Sequence, residues 1–274
     1  MCRLYGLRAS EPTKVECTLV HAQNALLLQS QSDETGRAHS DGWGIACYDD
    51  GMPVVERRST AAYADVHFSR TAERIYARTV VAHVRLATVG TPLEANTHPF
   101  SCGRWVFAHN GTVTGFDAVA SRLETATPPE LWKQRRGETD SEAVFWWLMG
   151  RCGPTGPGDA SLDRLRDLLS EAVRTLAGWC EEATDTPPRL NLLLTDGHRM
   201  LVTRWNQTLH CVTRDGVRDC EICGIPHVQH DPAVEYHAVV VASEPISHES
   251  WQVVPDRSVL TIDEKTRVRI DGLA

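Results

Sequence analysis

The sequence predicts an α+β fold of stacked antiparallel sheets with helices on their outer faces. Predicted strands come in blocks, and so do predicted helices, along the 274 residues. The regular strand–helix alternation that is typical of a parallel sheet does not occur. The sequence also has no internal repeat and no long linker. We therefore expect a single domain over residues 1–274, with a Cys- and His-containing insertion at 215–235.

In the first half of the chain, short runs of β-branched and aromatic residues predict strands. They are Cys2–Arg8, expected at a sheet edge, a hairpin within 42–58, Thr79–Leu86 and Arg104–His109. Apolar residues at helical spacing predict two helices, which are Thr18–Gln31 and Tyr63–Arg78. The polar composition of Ser32–Ser40 predicts a mobile loop, and the dipeptide Asn110-Gly111 predicts a tight turn.

The second half continues with helices followed by strands. Helical periodicity covers Asp140–Met149 and Leu162–Ala183, with a Gly- and Pro-rich loop at 153–158 between them. The predicted strands are Leu190–Thr195, Met200–Trp205, Leu209–Arg214 and His237–Ala242, with Asp196-Gly197 as a hairpin turn. This succession favours two stacked sheets over an alternating α/β fold.

Composition and charge exclude several classes of function. The chain has 28 Lys and Arg against 36 Asp and Glu, so its formal net charge is −8. Nucleic acids and anionic membranes normally require a basic face, so we expect neither as a partner. The N-terminus lacks the apolar core of a signal peptide, and apolar runs such as Ala238–Ala242 are too short to span a bilayer. We expect a cytoplasmic protein.

The nine cysteines are odd in number and irregularly spaced, which favours reduced thiols over disulfides. Cys2 stands apart, because removal of Met1 would make it the N-terminal residue. An α-amine has a pKa of about 7.7–8.0 and can act as the general base for the adjacent thiol. Its position alone leaves open that Cys2 is a cysteine without a catalytic role.

Several other segments favour a catalytic role for Cys2. They are Cys2-Arg3-Leu4, His39–Ile45, His83–Thr88, Asn96–Phe100, His109–Gly111, Glu138–Glu142 and Val241–Pro245 followed by Trp251 and Val254-Pro255. In this order they resemble the class II glutamine amidotransferases, which are N-terminal nucleophile hydrolases. The resemblance covers nearly the whole chain and is strongest to the stand-alone branch that includes the ergothioneine-pathway γ-glutamyl amidase. It implies a four-layer αββα sandwich of two mainly antiparallel sheets flanked by helices.

The resemblance also implies a reaction and a set of site residues. Cys2 would attack the γ-carbonyl of a glutamyl amide and form a γ-glutamyl thioester, which water hydrolyses to release glutamate; no cofactor is required. Asn110 and Gly111 would form the oxyanion hole. The substrate-binding residues would be Arg85 and Thr88 for the α-carboxylate, Asp140 for the α-ammonium group and His98 for the shape of the pocket.

Each of these residue types also has a structural interpretation. Arg85 on a strand is suited to an ion pair, and Asn110-Gly111 to a hairpin turn. Asp140 precedes an apolar run and is suited to a helix cap. His98 is expected to be structural, since an N-terminal amine makes a histidine base unnecessary.

Cys220, Cys223, His227 and His230 lie within eleven residues at a spacing that could hold a structural zinc ion. Two alternatives stay open, which are a redox-active dithiol and a pair of unrelated core thiols. This segment also departs from the pattern expected of the family.

Two functions remain open from the sequence. One is hydrolysis of a γ-glutamyl-conjugated small molecule; the other is a glutaminase subunit that supplies ammonia to a separate synthetase. The stretch after Val254-Pro255 is too short for a fused synthetase, which favours the hydrolase. A catalytically inactive binding module would lack the nucleophile or the oxyanion donors, and this sequence has both. We expect a small-molecule substrate and either a homodimer or a partner synthetase.

Overall fold

The computed structural model describes residues 2–152, 160–228 and 235–273. The strands are β1 Arg3–Lys14, β2 Trp43–Asp49, β3 Met52–Arg58, β4 Tyr76–Val84, β5 Phe100–Cys102, β6 Trp105–Thr112, β7 Arg189–Thr195, β8 Met200–Arg204, β9 His210–Asp215, β10 His237–Ala242, β11 Gln252–Val253, β12 Ser258–Ile262 and β13 Val268–Gly272. The α-helices are α1 Leu26–Gln31, α2 Val66–Arg74, α3 Phe116–Thr125, α4 Pro129–Trp132, α5 Asp140–Arg151 and α6 Leu162–Ala183. A π-helical turn covers Cys17–His21.

These strands form two antiparallel sheets. The first has the order β11-β9-β10-β1-β4-β2-β3, and the second has the order β13-β12-β8-β7-β6-β5. One apolar cluster lies between the sheets and includes Leu4, Val106 and Leu193. Two further clusters pack α1 and α2 against the first sheet, and α3, α5 and α6 against the second. The α+β prediction of two stacked sheets flanked by helices is confirmed.

Strand β1 lies inside the first sheet rather than at its edge, which corrects the sequence-based expectation. It pairs with β4 through Leu4↔His83 and with β10 through Tyr5↔Ala242. Leu4 points between the sheets, whereas Tyr5 packs towards the helices. Arg3 and Arg8 of this central strand are both buried and hydrogen-bonded. Charged residues can occupy a central strand when their donors are satisfied.

Helix prediction was least successful near the first sheet. The stretch predicted as one helix over Thr18–Gln31 is a π-helical turn and then the short α1. The stretch Tyr63–Arg78 is helical only from Val66, where the Asp65 carboxylate caps α2 by accepting the His67 backbone N–H. By contrast, α6 and β10 have the predicted bounds. The predicted loop at 153–158 lies outside the described residues. Within the described ranges, no helix has the length and apolarity needed to cross a membrane.

Candidate active site

Cys2 immediately precedes the central strand β1, so its position is set by a strand paired on both sides. The residue is only 7% exposed, and its sulfur lies 3.5 Å from the Leu86 carbonyl oxygen. Burial raises the pKa of the Cys2 thiol; the nearby Arg85 charge lowers it and the Asp140 charge raises it. A thiol in these surroundings needs a base close by in order to act as a nucleophile.

Arg3 fixes the start of β1 through buried ion pairs. Its guanidinium contacts the Glu244 carboxylate and donates to Asp33 Oδ2 at 2.7 Å and to the Cys2 carbonyl at 3.1 Å. No sequence pattern indicates this network, since both acids lie far from Arg3 along the chain. Buried charges are tolerated here because each has an opposite charge and further hydrogen bonds.

The segment Ser32–Ser40, predicted to be a mobile loop, is anchored by the same network. Asp33 and His39 are both buried, and the His39 ring nitrogen lies 3.1 Å from Asp33 Oδ2. Burial, together with the Arg3 charge, lowers the pKa of His39 to about 4 although Asp33 opposes this shift. The segment is irregular and mostly exposed, as a loop is expected to be, while the buried Asp33 and His39 hold it against the first sheet. Its mobility stays a prediction.

Asn110 and Gly111 lie within strand β6 and not in a tight turn. They pair with Asn191 and Leu190 of β7, and β6 continues beyond them to Thr112. The turn prediction was wrong because the dipeptide signal was overruled by pairing with a strand distant in sequence. Glycine is required at position 111 for another reason: a Cβ atom there would overlap the Arg189 carbonyl.

The Asn110 side chain is linked directly to the strand that carries Cys2. Its Nδ2 donates to Ser243 Oγ at 2.7 Å, and the same hydroxyl oxygen accepts the Leu4 backbone N–H at 2.9 Å. The other hydrogen on Nδ2 is not used by this bond. Asn110 is fully buried, and its Oδ1 has no hydrogen-bond partner among the described residues. The amide is thus held rigidly with one donor to spare.

Arg85, buried to 2% exposure, binds backbone carbonyls rather than a carboxylate. Its Nη1 donates to Thr91 at 3.1 Å and to Asp41 at 3.3 Å. Its Nη2 donates to Val89 at 2.9 Å and to Gly90 at 3.1 Å. Among the described residues, the Arg85 guanidinium therefore does not form the structural ion pair that was considered as an alternative. It holds the loop that follows β4 by donating to backbone carbonyls.

Asp140 is the first residue of α5, but Thr139 caps the helix through the Glu142 N–H. The Asp140 carboxylate instead accepts the backbone N–H groups of Val113 and Ser141, at 2.8 and 2.9 Å. The charges of Asp140 and Arg85 both act on Cys2. The fold thus exposes the Cys2 thiol to the charges of one cation and one anion that are widely separated from it in sequence.

Thr88 and His98 are the remaining residues predicted from the sequence. Thr88 is exposed, with its hydroxyl 3.3 Å from that of Thr112, the residue after Gly111. The His98 ring lies in a buried row, 4.2 Å from the His83 ring and 4.7 Å from that of Phe100. Burial holds the pKa of His98 well below its ordinary value, so the ring is neutral. These contacts favour the structural interpretation, and a role in shaping the pocket stays a prediction.

A cavity of about 250 Å³ lies outside this group of residues. It is lined by Arg57, Phe100, Ser101, Gln134, Arg136, Glu142, Phe145 and Trp146. None of the seven predicted site residues lines it, although Glu142 is only two positions beyond Asp140. The chemistry therefore has to be sought around Cys2 and not in this cavity.

The predicted metal-binding residues are brought together only in part. Ligand atoms of Cys220, Cys223 and His227 lie together, and the fourth member of the cluster is Cys17. His230 lies outside the described residues. Cys17 follows β1 and is about 200 positions away in sequence, so spacing alone could not associate it with the other three.

The comparisons with known proteins bear on the whole chain. The sequence matches the family of glutamine amidotransferases, class II, over residues 1–266. The chain belongs to the class II glutamine amidotransferases. It is therefore an enzyme that cleaves an amide bond, as the sequence predicts.

Individual relatives span most of this amidotransferase. A probable glutamine amidotransferase of Saccharomyces cerevisiae is 28% identical and covers 97% of this chain and 83% of its own length. A γ-glutamyl-hercynylcysteine sulfoxide hydrolase of Mycobacterium tuberculosis is 27% identical over 97% of this chain and 94% of its own length. The family and the stand-alone branch named from the sequence are both represented among these relatives.

Solved structures confirm the fold. A glutamine aminotransferase class-II domain protein from Silicibacter pomeroyi superposes with a TM-score of 0.65 over 100% of both chains, at 21% identity. The glutamine phosphoribosylpyrophosphate amidotransferase of B. subtilis superposes with a TM-score of 0.60 over 100% of this chain and 49% of its own, at 15% identity. The N-terminal nucleophile hydrolase fold is thus present in this amidotransferase.

Proposed function

We propose that this enzyme hydrolyses the γ-glutamyl amide bond of a γ-glutamyl-conjugated metabolite through a thioester on Cys2. The observation that carries the proposal is a buried thiol at position 2 whose pKa is influenced by one cationic and one anionic side chain, Arg85 and Asp140. A free glutamyl group presents a carboxylate and an ammonium group on the same carbon. A site with one charge of each sign suits such a group.

The first step needs a base, because burial raises the pKa of the Cys2 thiol. After removal of Met1, the α-amine of Cys2 accepts the thiol proton as the sulfur attacks the γ-carbonyl carbon. The resulting ammonium group protonates the departing amide nitrogen, so the C–N bond breaks and the thioester remains. The amine, again neutral, takes a proton from water, which attacks the thioester and releases glutamate and the free thiol.

The negative charge that develops on the γ-carbonyl oxygen is assigned to Asn110 and Gly111. The spare hydrogen on Asn110 Nδ2 is available because the other is donated to Ser243. Preorganisation supports this role: the amide is buried, and Ser243 ties it to the backbone of Leu4, two residues after the nucleophile. Loss of one donor of this kind typically costs about 2.7–4 kcal/mol in the transition state.

The glutamyl group is assigned to Arg85, Thr88 and Asp140. The substrate carboxylate would replace carbonyl oxygens of the loop after β4 as partners of the Arg85 guanidinium. A planar guanidinium can bind a carboxylate through two parallel hydrogen bonds. The α-ammonium group would donate to Asp140, whose carboxylate is already oriented by two backbone N–H groups. The exposed Thr88 hydroxyl would add a donor to the carboxylate.

The first experiment is an intact-mass measurement of the purified enzyme before and after exposure to a glutamine-like chloroketone. We expect loss of the Met1 mass and one covalent adduct, mapped to Cys2 by peptide analysis. Cys102→Ser, which changes a half-buried thiol at the end of β5, serves as the control and should be labelled like the wild type. Labelling that avoids Cys2 would contradict the proposed nucleophile.

A second experiment separates conjugate hydrolysis from glutaminase activity. Release of glutamate is measured with free glutamine and with a series of γ-glutamyl amides of increasing size, γ-glutamylcysteine derivatives included. The proposal predicts the higher kcat/KM for a conjugate, as the name of the M. tuberculosis relative suggests. The alternative, a glutaminase subunit that supplies ammonia to a separate synthetase, predicts that free glutamine is the best substrate.

A further inference from the structure

Three cysteines and one histidine meet at the end of β1 that is distant from Cys2. The sulfur atoms of Cys17, Cys220 and Cys223 and a ring nitrogen of His227 all lie within 4.8 Å of one another. Around a tetrahedral zinc ion with Zn–S bonds of about 2.3 Å, neighbouring sulfurs would be roughly 3.8 Å apart. The Cys223 sulfur and His227 Nε2, at 3.3 Å, already have about the required separation. Only a small contraction would bring all four atoms to bonding distance.

The backbone between the two neighbouring cysteines is shaped for this purpose. The Gly224 N–H donates to the Cys220 carbonyl at 2.8 Å, and Gly224 has a φ of +72°, which favours glycine. The Ile222 N–H points at the Cys220 sulfur at 3.4 Å. A donor aimed at sulfur stabilises a thiolate, which is the form that binds a metal. The turn therefore presents both sulfurs to the same point.

His227 and Cys17 are held beside this turn by β1. The Lys14 N–H donates to the His227 carbonyl at 2.9 Å, and Thr13 forms a β-bridge with Val228. Cys17 begins the π-helical turn three residues after Lys14 and is buried. The ligand set is therefore assembled from two segments that are about 200 residues apart in sequence but joined by backbone hydrogen bonds.

This part of the molecule has little apolar burial to hold it in place. Ile222, which precedes Cys223, is 39% exposed, and Ile225, between Cys223 and His227, is 60% exposed. Cys223 is exposed as well, which does not fit a thiol that serves only to fill a core. A bound metal ion can supply the folding free energy that such a segment lacks.

We propose that Cys17, Cys220, Cys223 and His227 bind one structural zinc ion, with three sulfur ligands and one nitrogen ligand. The composition favours zinc over magnesium or calcium, which prefer oxygen ligands. The site is separate from catalysis, because the ends of β1 lie opposite Val84 and Tyr76 of β4, and the eight residues between these two at about 3.3 Å each correspond to roughly 26 Å. The ion would fasten the segment after β9 to the end of β1.

The test begins with tag-free enzyme that is purified without added metal. Elemental analysis should give one zinc per chain. X-ray absorption should give three sulfurs at about 2.3 Å and one nitrogen at about 2.0–2.1 Å. Two sulfurs and two nitrogens would show that one of the three cysteines is not a ligand and would overturn this assignment. A metal content near zero would overturn the proposal as a whole.

Variants make the assignment specific. Cys17→Ser should lose most of its zinc and unfold at a lower temperature, whereas the control Cys102→Ser should keep both at wild-type values. If Cys17→Ser does not fold, wild-type enzyme stripped by chelation is titrated with cobalt. The visible absorption of tetrahedral, thiolate-bound cobalt is then expected at one equivalent, and its absence would count against the site. A Cys220–Cys223 disulfide in the purified enzyme, found by mapping alkylated thiols, would also overturn it.

Discussion

A cysteine lies near each end of strand β1, and the two thiols have different surroundings. The Cys2 thiol is influenced by the charges of Arg85 and Asp140 and lies outside the group of thiols formed by Cys17, Cys220 and Cys223. Cys17, equally buried, faces two further thiols and an imidazole. An isolated thiol beside an amine is suited to nucleophilic attack, whereas clustered thiols are suited to binding a metal. The neighbours that the fold supplies, and not the residue type, determine the chemistry.

The largest expected effect is the loss of turnover at the Cys2 end of β1 without any change in zinc binding at the Cys17 end. Cys2→Ala should fold normally and still lose Met1, yet glutamate release should fall to the uncatalysed background because no thioester can form. Its zinc content should stay at the wild-type value. Turnover close to that of the wild type would rule out Cys2 as the nucleophile. Steady-state assays and elemental analysis of one preparation provide both measurements.

Asn110→Ala tests the oxyanion donor at the catalytic end. We expect kcat to fall by about 10²–10³-fold with little change in KM, because the donor acts mainly in the transition state. Asn191→Ala is the matched control, since Asn191 is the buried cross-strand partner of Asn110. The control should lower the unfolding temperature while retaining kcat. Equal losses of kcat in both variants would indicate a structural role only.

Arg85→Lys tests recognition of the glutamyl carboxylate. A charged hydrogen bond typically contributes about 1.5–3 kcal/mol, so kcat/KM should fall by roughly 10–100-fold, mainly through KM. Arg57→Lys is the control, because the half-buried Arg57 also faces backbone carbonyls, those of Thr97 and Pro99. It should leave kcat/KM near the wild-type value. An unchanged KM in Arg85→Lys would remove this residue from the binding site.

Acidic pH should lower the free energy of unfolding of the enzyme through its buried histidines. Burial lowers the pKa of His39 to about 4 and that of His83 to about 3, so both stay neutral in the folded enzyme. Unfolding lets them take up protons below about pH 6.5, and each then removes up to about 1.4 kcal/mol of stability per pH unit. Stability should therefore fall from pH 6.5 towards pH 4.

Urea unfolding at several pH values measures this slope. The measurement is repeated in Cys17→Ser, which should lack the zinc, so that acid-driven release of metal does not contribute. We expect the slope to persist in that variant. A stability that is flat between pH 6.5 and pH 4.5 would contradict the neutral histidines.

The smallest expected effect is the change in turnover when a ligand of the proposed zinc site is replaced. Cys17→Ser should keep a kcat/KM close to that of the wild type at 25 °C while it loses metal and thermal stability. The reason is distance, because β1 separates Cys17 from the nucleophile. A large loss of kcat/KM in folded Cys17→Ser would show that the two ends of β1 are coupled.

Much of the fold followed from local pattern. Helix α6 and strand β10 have the predicted bounds because their apolar residues repeat at helical spacing or form an uninterrupted β-branched run. The position of β1 did not follow, since its neighbours in the sheet, β4 and β10, lie far from it along the chain. Nor did the location of Asn110-Gly111 in a strand. In these cases the deciding partner lies in a distant segment.

In the candidate active site, too, some features could be predicted from the sequence and others could not. The sequence named Cys2, Arg85 and Asp140, and the fold brings their charges into mutual range. The carbonyl ligands of Arg85 were not foreseen, nor was Arg3 with its buried acids. Backbone carbonyls carry no sequence signal, and acids distant in sequence have no spacing relation to Arg3.

By itself the sequence determined the fold class and the family and named the candidate site residues, because ordered motifs and hydrophobic periodicity are local properties of the chain. Only the tertiary structure decided that Asn110 lies in a strand, that Arg3 is buried in an ion-paired network and that Cys17 joins Cys220, Cys223 and His227. The physical reason is that each of these depends on the pairing of β1 or β6 with strands distant in sequence, and such pairing is set by burial of the whole sheet.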